Sequence, residues 1–283
     1  YYSQSTKNWS IRQLFAENIN EEKDILLEFI KLISNYKKII TYNGDRFDIP
    51  FINSRLLLLG IPYLINKDLS LDIYKVVKEN NIFLSLNSLK LKSLEESLGL
   101  YREDLYSGKD CINFYYDYIK SHNDDSFNKI IQHNYEDLYY MIDILKIFDI
   151  IKEIKSFSFN YNEIIFSITI NSIELSGEQL MVLGQLSDSL DNEIIHYDKD
   201  FNFSLKKTRE FKFSIDCSLG LVSHTEKAYY IDKNNLVLPI DIPDNTKYNL
   251  SNRFLLLKVE KTFCIENIKN LTRAILNQTL KQY

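Results

Sequence analysis

The sequence has few cysteines and no long apolar run. Its three cysteines among 283 residues, Cys111, Cys217 and Cys264, lie far apart and form no Cys-x-x-Cys pair. This pattern indicates neither a disulfide framework nor a thiolate zinc site. The longest apolar run, Leu56 to Ile65, is interrupted by a glycine and a proline and falls well short of the ~20 residues that a membrane span needs. We therefore expect a protein of a reducing, cytoplasmic compartment that does not cross a membrane.

A strong excess of one charge is also absent. The formal net charge is −5, which argues against a protein that coats nucleic acid by bulk electrostatics but leaves room for an enzyme that grips one strand locally. With 45% hydrophobic and 26% charged residues, the chain can bury a full core and is long enough for one large or two ordinary domains. Because the first residue is Tyr1 rather than methionine, we expect the numbered chain to begin inside a longer gene product.

Two regions of the chain differ in their hydrophobic periodicity. Residues 1–155 alternate between strand and helix patterns, which predicts an α/β domain. Residues 156–283 carry alternating β-like runs with polar turns, which predicts a smaller β-rich α+β domain of unknown function. The individual predictions are strands at 10–15, 38–42 and 71–73 and helices at 21–36, 89–98, 112–120, 127–155, 177–190 and 266–280.

The first region contains the stretch "TYNGDRFDIPFINSRL", Thr41 to Leu56. Asn-Gly ordinarily suggests a hairpin, but the apolar residues that follow have helical spacing, so we predict a strand, a turn and a helix. Asp48 then falls in the first turn of the helix, where a negative charge is favourable. Asp48 is therefore either a simple helix-start residue or a functional carboxylate, and Asn43 is either a turn residue with a left-handed backbone or a functional amide.

A second stretch, "IIQHNYEDLYYMIDIL", runs from Ile130 to Leu145. On a helix, Asp137 lies on or beside the apolar stripe, and a carboxylate there requires a partner because burying it alone is costly. His133 stands one turn earlier and is a neighbour on the helix surface. The pair is either structural, or Asp137 binds a metal ion while His133 handles the proton of a water molecule.

Together these stretches resemble motifs of the DEDD-type exonucleases of the ribonuclease H-like superfamily. Residues 41–56 resemble the second motif, an asparagine followed by Phe-Asp after a strand, and "HNYEDLYYMIDIL" resembles the third. Between them, "LDIYKVV", "LKSLEESLGLYREDLYSG" and "FYYDYIK" follow the order seen in the YprB-like branch, so that the match covers residues 10–150.

The resemblance implies a mixed sheet flanked by helices, with four acidic residues around two Mg²⁺ or Mn²⁺ ions. It also implies 3′-to-5′ hydrolysis of phosphodiester bonds in DNA or RNA, with a single strand or a 3′ end as the partner. Asp48 and Asp137 would be two of the metal ligands and His133 the residue that orients the water. Asn43 and Tyr42 would contact the substrate.

One motif of that family does not occur in the expected place. The first motif, an Asp-x-Glu on the opening strand, belongs upstream of Tyr1, and the only Asp-x-Glu here, Asp191 to Glu193, lies far downstream without a strand pattern. We therefore expect an N-terminally truncated ribonuclease H-like domain. The alternative is a catalytically inactive module of the same fold that binds nucleic acid or a protein partner.

For several other charged residues the sequence pattern predicts a structural or surface role and no part in catalysis. Asp72 is expected to cap a strand end, Asp45 to cap a helix, Arg55 to be a solvated helix cation and Glu95 to lie on a solvated surface. The basic run at Lys206, Lys207, Arg209 and Lys212 either contacts a phosphate backbone or forms an exposed face, and we expect the exposed face.

Overall fold

The computed structural model describes residues 1–3, 7–103, 105–190, 192–236, 238–241, 245 and 247–282. The chain divides into two compact units, one formed by Tyr1–Glu79 with Leu86–Ile147 and the other by Asn80–Ser85 with Phe148–Tyr283. Helices and strands occur together, and this confirms the mixed α/β class. Within the described ranges, no helix has the length and apolar character needed to cross a lipid bilayer.

The first unit is mostly helical and contains two small sheets. β1 and β2 pair antiparallel, whereas β3 and β4 pair parallel with Thr41 opposite Asp72. Because the strands are parallel, the residues that follow β3 and the last residue of β4 meet at one edge of the sheet. The elements of this part of the chain are β1 Tyr2–Ser3, β2 Asn8–Trp9, α1 Glu22–Ile33, β3 Ile39–Thr41, α2 Asp48–Leu58, β4 Ser70–Asp72, α3 Ile73–Glu79, α4 Asn81–Leu84, α5 Leu91–Ser97, α6 Gly108–Ser121, α7 Asp124–Tyr139, α8 Met141–Ile144 and α9 Ile147–Lys155. Of these, α4 lies in the second unit, and so does α9 after its first residue, Ile147.

The amphipathic pattern of α1 and α2 explains how the start of α2 is held. Leu26 of α1 packs with Leu56 of α2, and Ile33 of α1 packs with Ile49 of α2. Leu56 is completely buried and Ile49 is 3% exposed. Two buried contacts along its length fix α2 against α1, and this positions the first residue of α2, Asp48.

The second unit is built on antiparallel sheets. A six-stranded sheet has the order β5-β6-β7-β10-β9-β8, and a four-stranded sheet has the order β11-β12-β13-β14. Along strands of the larger sheet every second residue is buried, among them Phe203, Phe211 and Phe213. These side chains share one core with Ile268 and Leu271 of the last helix. The elements are β5 Ser156–Tyr161, β6 Ile164–Ser176, β7 Gln179–Leu186, β8 Ile194–Tyr197, β9 Phe201–Leu205, β10 Glu210–Asp216, β11 Ser218–Leu221, β12 Lys227–Asp232, β13 Phe254–Val259, β14 Thr262–Phe263 and α10 Ile265–Leu280.

Two predictions for the first region are wrong. Residues 10–15 are not a strand, because this segment pairs with no strand among the described residues. It packs against helices α6 and α7 instead, where Phe15 meets the rings of Tyr118 and Phe127 edge-on. The single helix predicted over 127–155 is three helices, α7, α8 and α9. The last break is a tight turn, in which Leu145 and Lys146 donate backbone hydrogen bonds to the carbonyl three residues earlier.

The helix predicted over 177–190 is also wrong, because this segment is the strand β7. Its burial alternates, with Leu180, Val182 and Leu186 in the core, and this period of two was obscured by apolar residues on both faces. Gly184 lies where the Phe211 ring crosses the strand, since an added Cβ would be 2.3 Å from the Phe211 Cζ atom. The glycine therefore serves close packing of side chain on backbone.

Candidate acidic site

A tight turn after β3 forms one wall of the site. Asn43 has a φ of 62°, and an added Cβ at Gly44 would lie 2.5 Å from the Thr41 Cβ atom, so the turn needs a left-handed residue followed by glycine. The carboxylate of Asp72 accepts hydrogen bonds from the backbone N–H groups of Asn43 (2.7 Å) and Asp45 (3.2 Å). Asp72 thus ties the end of β4 to the turn after β3, and its predicted role as a strand-end cap is confirmed.

Asp48 is the first residue of α2 and remains solvent-exposed. Partial loss of hydration of its carboxyl group raises the pKa of Asp48, and the negative charges of Asp72 and Asp137 raise this pKa further. A backbone hydrogen bond to the carboxylate lowers the pKa but does not cancel these effects. Asp72 and Asp137 therefore both lie within electrostatic reach of the Asp48 carboxyl group. The three residues come from the start of α2, the end of β4 and the last turn of α7.

Asp137 is held by an arginine that the sequence did not single out. Arg102 Nη1 donates a hydrogen bond of 2.5 Å to Asp137 Oδ1, while Nε and Nη2 donate to the two carboxylate oxygens of Glu95 at 2.5 and 2.6 Å. The Glu95 side chain is completely buried and the Arg102 side chain is 5% exposed. Burial lowers the pKa of Arg102, but the hydrogen bonds that Arg102 donates to the Glu95 and Asp137 carboxylates outweigh burial and leave this pKa raised.

His133 lies one helical turn before Asp137 on α7. Its Nε2 atom is 3.7 Å from Asp137 Oδ2, which is beyond hydrogen-bonding distance, and its side chain is 16% exposed. The neighbouring Asn134 accepts a hydrogen bond of 3.0 Å from Gln13, and this joins α7 to the segment after β2. The structure therefore places His133 beside Asp137 without a direct hydrogen bond between His133 Nε2 and Asp137 Oδ2.

The two residues expected to contact a substrate both have structural partners. The Tyr42 hydroxyl donates a hydrogen bond of 2.7 Å to the Leu89 carbonyl, and burial raises the pKa of Tyr42. Its ring meets that of Tyr74 edge-on at 5.9 Å. The partner of Asn43 is Asp72, whose carboxylate accepts a hydrogen bond from the Asn43 backbone N–H group. Substrate contact by Tyr42 and Asn43 stays a prediction.

The N-terminal half of the chain matches a family model described as RNase_H superfamily, over residues 1–148. The chain belongs to the RNase_H superfamily. This confirms the ribonuclease H-like expectation, whereas assignment to the YprB-like branch stays a prediction. No solved structure matches the chain.

Short segments of this RNase_H-superfamily chain are also similar to archaeal DNA polymerases. It is 36% identical to DNA polymerase 1 of Aeropyrum pernix over 47 residues, 17% of this chain and 5% of that protein. It is 34% identical to DNA polymerase 1 of Sulfurisphaera ohwakuensis over 85 residues, 26% of this chain and 9% of that protein. The chain thus spans less than a tenth of the length of these relatives.

Sequence reasoning gave the wrong surroundings to three charged residues of the first unit, of which only Glu95 belongs to the acidic site. Glu95 is buried rather than solvated, and Asp45 is a buried partner of Lys75 rather than a helix cap. Arg55 is not an isolated surface cation, because it forms a two-bond pair with Glu22. The available signal for Glu95 was its place on the apolar stripe of α5, four residues after Leu91 and three before Leu98, and the chain held no local signal for Arg102.

The remaining sequence candidates fall outside the site or outside the described residues. Asp191 of the downstream Asp-x-Glu lies outside the described residues. Lys206 pairs with Glu210, and Arg209 donates a hydrogen bond to the Ser187 carbonyl. The basic run occupies the turn between β9 and β10 and the first half of β10, in the second unit. The exposed-face interpretation of this run agrees with the exposure of its four cations.

Carboxylates are the kind of oxygen donor that a hard divalent ion prefers. Two carboxylates, Asp48 and Asp137, lie close enough to raise the pKa of Asp48, and a dication would relieve that repulsion. Mg²⁺ commonly binds through one or two carboxylates and keeps several waters, so two protein ligands suffice for a weakly held ion. Among the described residues, no group of three or more His, Cys, Asp or Glu side chains is arranged to hold a metal.

Proposed function

We propose that this chain is a metal-dependent nuclease domain that hydrolyses phosphodiester bonds of DNA or RNA. The finding that supports it best is that Asp137 helps to raise the pKa of Asp48 in a chain of the RNase_H superfamily. Carboxylates that repel one another cost stability, so their gathering at one place is typical of a metal or catalytic site. The finer proposal, 3′-to-5′ exonuclease action, rests on the motif resemblance.

In this proposal Asp48 and Asp137 bind Mg²⁺ or Mn²⁺ through carboxylate oxygens. When bound, the ion supplies Lewis-acid stabilisation of the negative charge that develops on the phosphate. His133, whose Nε2 atom lies 3.7 Å from Asp137 Oδ2, accepts a proton from the attacking water. Tyr42 and Asn43 position the strand at the turn after β3.

The proposal is tested with Asp48→Asn and Asp137→Asn, which remove one negative charge each and keep the side-chain shape. Cleavage of a single strand, labelled at its 3′ end in one sample and at its 5′ end in another, is followed with Mg²⁺ or Mn²⁺. Both variants are expected to lose at least about 100-fold in rate, the scale observed when a charge-stabilising group is removed from an active site. Early release of the 3′ label identifies exonuclease action from that end.

Asp125→Asn is the matched control on α7, the helix that carries Asp137. Asp125 lies in the first turn of this helix, is exposed and pairs with Lys129, four residues later. This variant is expected to keep the parent rate. Equal cleavage by the parent, Asp48→Asn and Asp137→Asn would exclude a role for these carboxylates. Internal fragments from both labels would instead indicate endonuclease action.

A specific observation favours a second candidate, a catalytically inactive module that binds nucleic acid. Within the described residues no group of three or more potential metal ligands occurs, and one carboxylate oxygen of Asp137 already accepts a hydrogen bond from Arg102. Such a module would bind a labelled single strand equally well with EDTA and with Mn²⁺, and it would leave the strand intact. Metal-dependent shortening of the strand contradicts this alternative.

A further inference from the structure

The guanidinium of Arg102 holds two carboxylates at once. It grips Glu95 with two hydrogen bonds and reaches Oδ1 of Asp137 with a third, all between 2.5 and 2.6 Å. Only Oδ1 of Asp137 is bonded to this arginine, and the Asp137 side chain keeps 35% of its surface exposed. Asp137 is therefore fixed through one oxygen while the other oxygen faces the His133 side, at 3.7 Å from Nε2.

The local chain path explains why Arg102 reaches this place. At the end of α5, Gly99 has a φ of +76°, its N–H bonds to the Glu96 carbonyl and the Leu100 N–H bonds to the Glu95 carbonyl. This is the Schellman arrangement, which ends the helix and reverses the chain. The next residues are tied to α7, because the Tyr140 hydroxyl donates to the Tyr101 carbonyl at 3.1 Å.

We infer that Arg102 is a positioning residue that fixes the carboxylate of Asp137 in the orientation needed to bind the divalent ion, with buried Glu95 as its anchor. The inference rests on the proposed function, since it concerns the same acidic site. A planar guanidinium with three defined bonds orients a carboxylate far better than a flexible lysine does. Hydrogen-bond partners that orient a metal ligand typically contribute 10- to 100-fold to metal affinity.

The test separates orientation from simple electrostatics. Removing Arg102 alone would strip a positive charge and strengthen cation binding by Coulomb attraction, while leaving Glu95 buried without a partner. The double variant Glu95→Gln/Arg102→Gln removes one charge of each sign, so that the net charge near Asp137 is unchanged. Any loss of Mn²⁺ affinity in this variant then reports the lost orientation of Asp137.

Binding of Mn²⁺ alone to the full chain is measured by electron paramagnetic resonance of the free ion, without substrate. The double variant is expected to raise the Mn²⁺ Kd by about 10- to 100-fold. Arg102→Lys keeps the charge but not the planar fork, and it is expected to give an intermediate Kd. Circular dichroism of each variant verifies that the fold is retained.

Glu22→Gln/Arg55→Gln is the matched control. It removes the same residue types from a two-bond pair in the same unit, with both bonds at 2.5 Å, and it is expected to leave the Kd unchanged. Unchanged or tighter Mn²⁺ binding in a folded Glu95→Gln/Arg102→Gln variant overturns the positioning role alone. If the parent chain binds no Mn²⁺, or if Asp48→Asn binds Mn²⁺ as well as the parent does, both the proposed function and this inference fail.

Discussion

The buried pair of Glu95 and Arg102 allows a strong prediction about stability. Glu95 is completely inaccessible to solvent, so Arg102→Met leaves a buried carboxylate without its counter-charge. Breaking a buried ion pair on one side typically costs 3–5 kcal/mol. We expect the low end, about 3 kcal/mol, because Asp137, the other partner of Arg102, keeps 35% of its side chain exposed and recovers hydration.

Urea denaturation of the full chain measures this loss. Trp9 is the single tryptophan, and it belongs to the first unit with Glu95 and Arg102, so its fluorescence reports the unit that carries the change. Circular dichroism records the whole chain in parallel. The double variant Glu95→Leu/Arg102→Met is expected to recover most of the loss, since replacing both partners by apolar residues is often neutral or stabilising.

Arg55→Met is the comparison, because the Arg55 side chain is 30% exposed and that of its partner Glu22 is 25% exposed. Water can solvate both groups after the pair is broken, so the loss at this site is expected to be clearly smaller. The reasoning is refuted if Arg102→Met and Arg55→Met cost the same. It is also refuted if the double variant at Glu95 and Arg102 is as unstable as the single one.

Three further outcomes follow from the contacts of single residues. Gly44→Ala is expected to cost about 1–3 kcal/mol in urea denaturation, since the new Cβ would lie 2.5 Å from that of Thr41. Gly184→Ala is expected to be at least as damaging, because the new Cβ would lie 2.3 Å from the buried Phe211 ring, and circular dichroism melting measures it. The raised pKa of Asp48 makes its charged form unfavourable in the folded state, so Asp48→Asn is expected to raise Tm at pH 7. This gain should shrink as the pH falls through the folded-state pKa of Asp48, since the parent then carries a neutral carboxyl too.

Local patterns predicted those parts of the site that depend on neighbours in sequence. The strand, turn and helix over 41–56 follow from an apolar period that changes at one point and from the left-handed preference of Asn43 before glycine. The helix that carries His133 and Asp137 follows from the same kind of pattern. Each of these features is decided within about two helical turns, where periodicity is informative.

Contacts between distant segments were not predictable in this way. Arg102 reaches Asp137 across 35 residues, and the Asp72 carboxylate reaches the Asn43 N–H group across 29. A charged residue has the same appearance in the sequence whether it is solvated or paired inside the protein. Strand β7 was missed for a related reason, because apolar residues on both faces hide the period of two, and pairing with β6 and β10 decides the outcome.

The distribution of counter-charges distinguishes Asp48 from Asp45, Glu95 and Asp137. Arg102 is shared between Glu95 and Asp137, and the ammonium of Lys75 is bonded to buried Asp45. Among the described residues, Asp48 makes no ion pair within 4.0 Å, while Asp72 and Asp137 both raise its pKa. A divalent ion at Asp48 and Asp137 would therefore offset repulsion that the protein's own cations leave in place, and the same repulsion predicts the stabilising effect of Asp48→Asn.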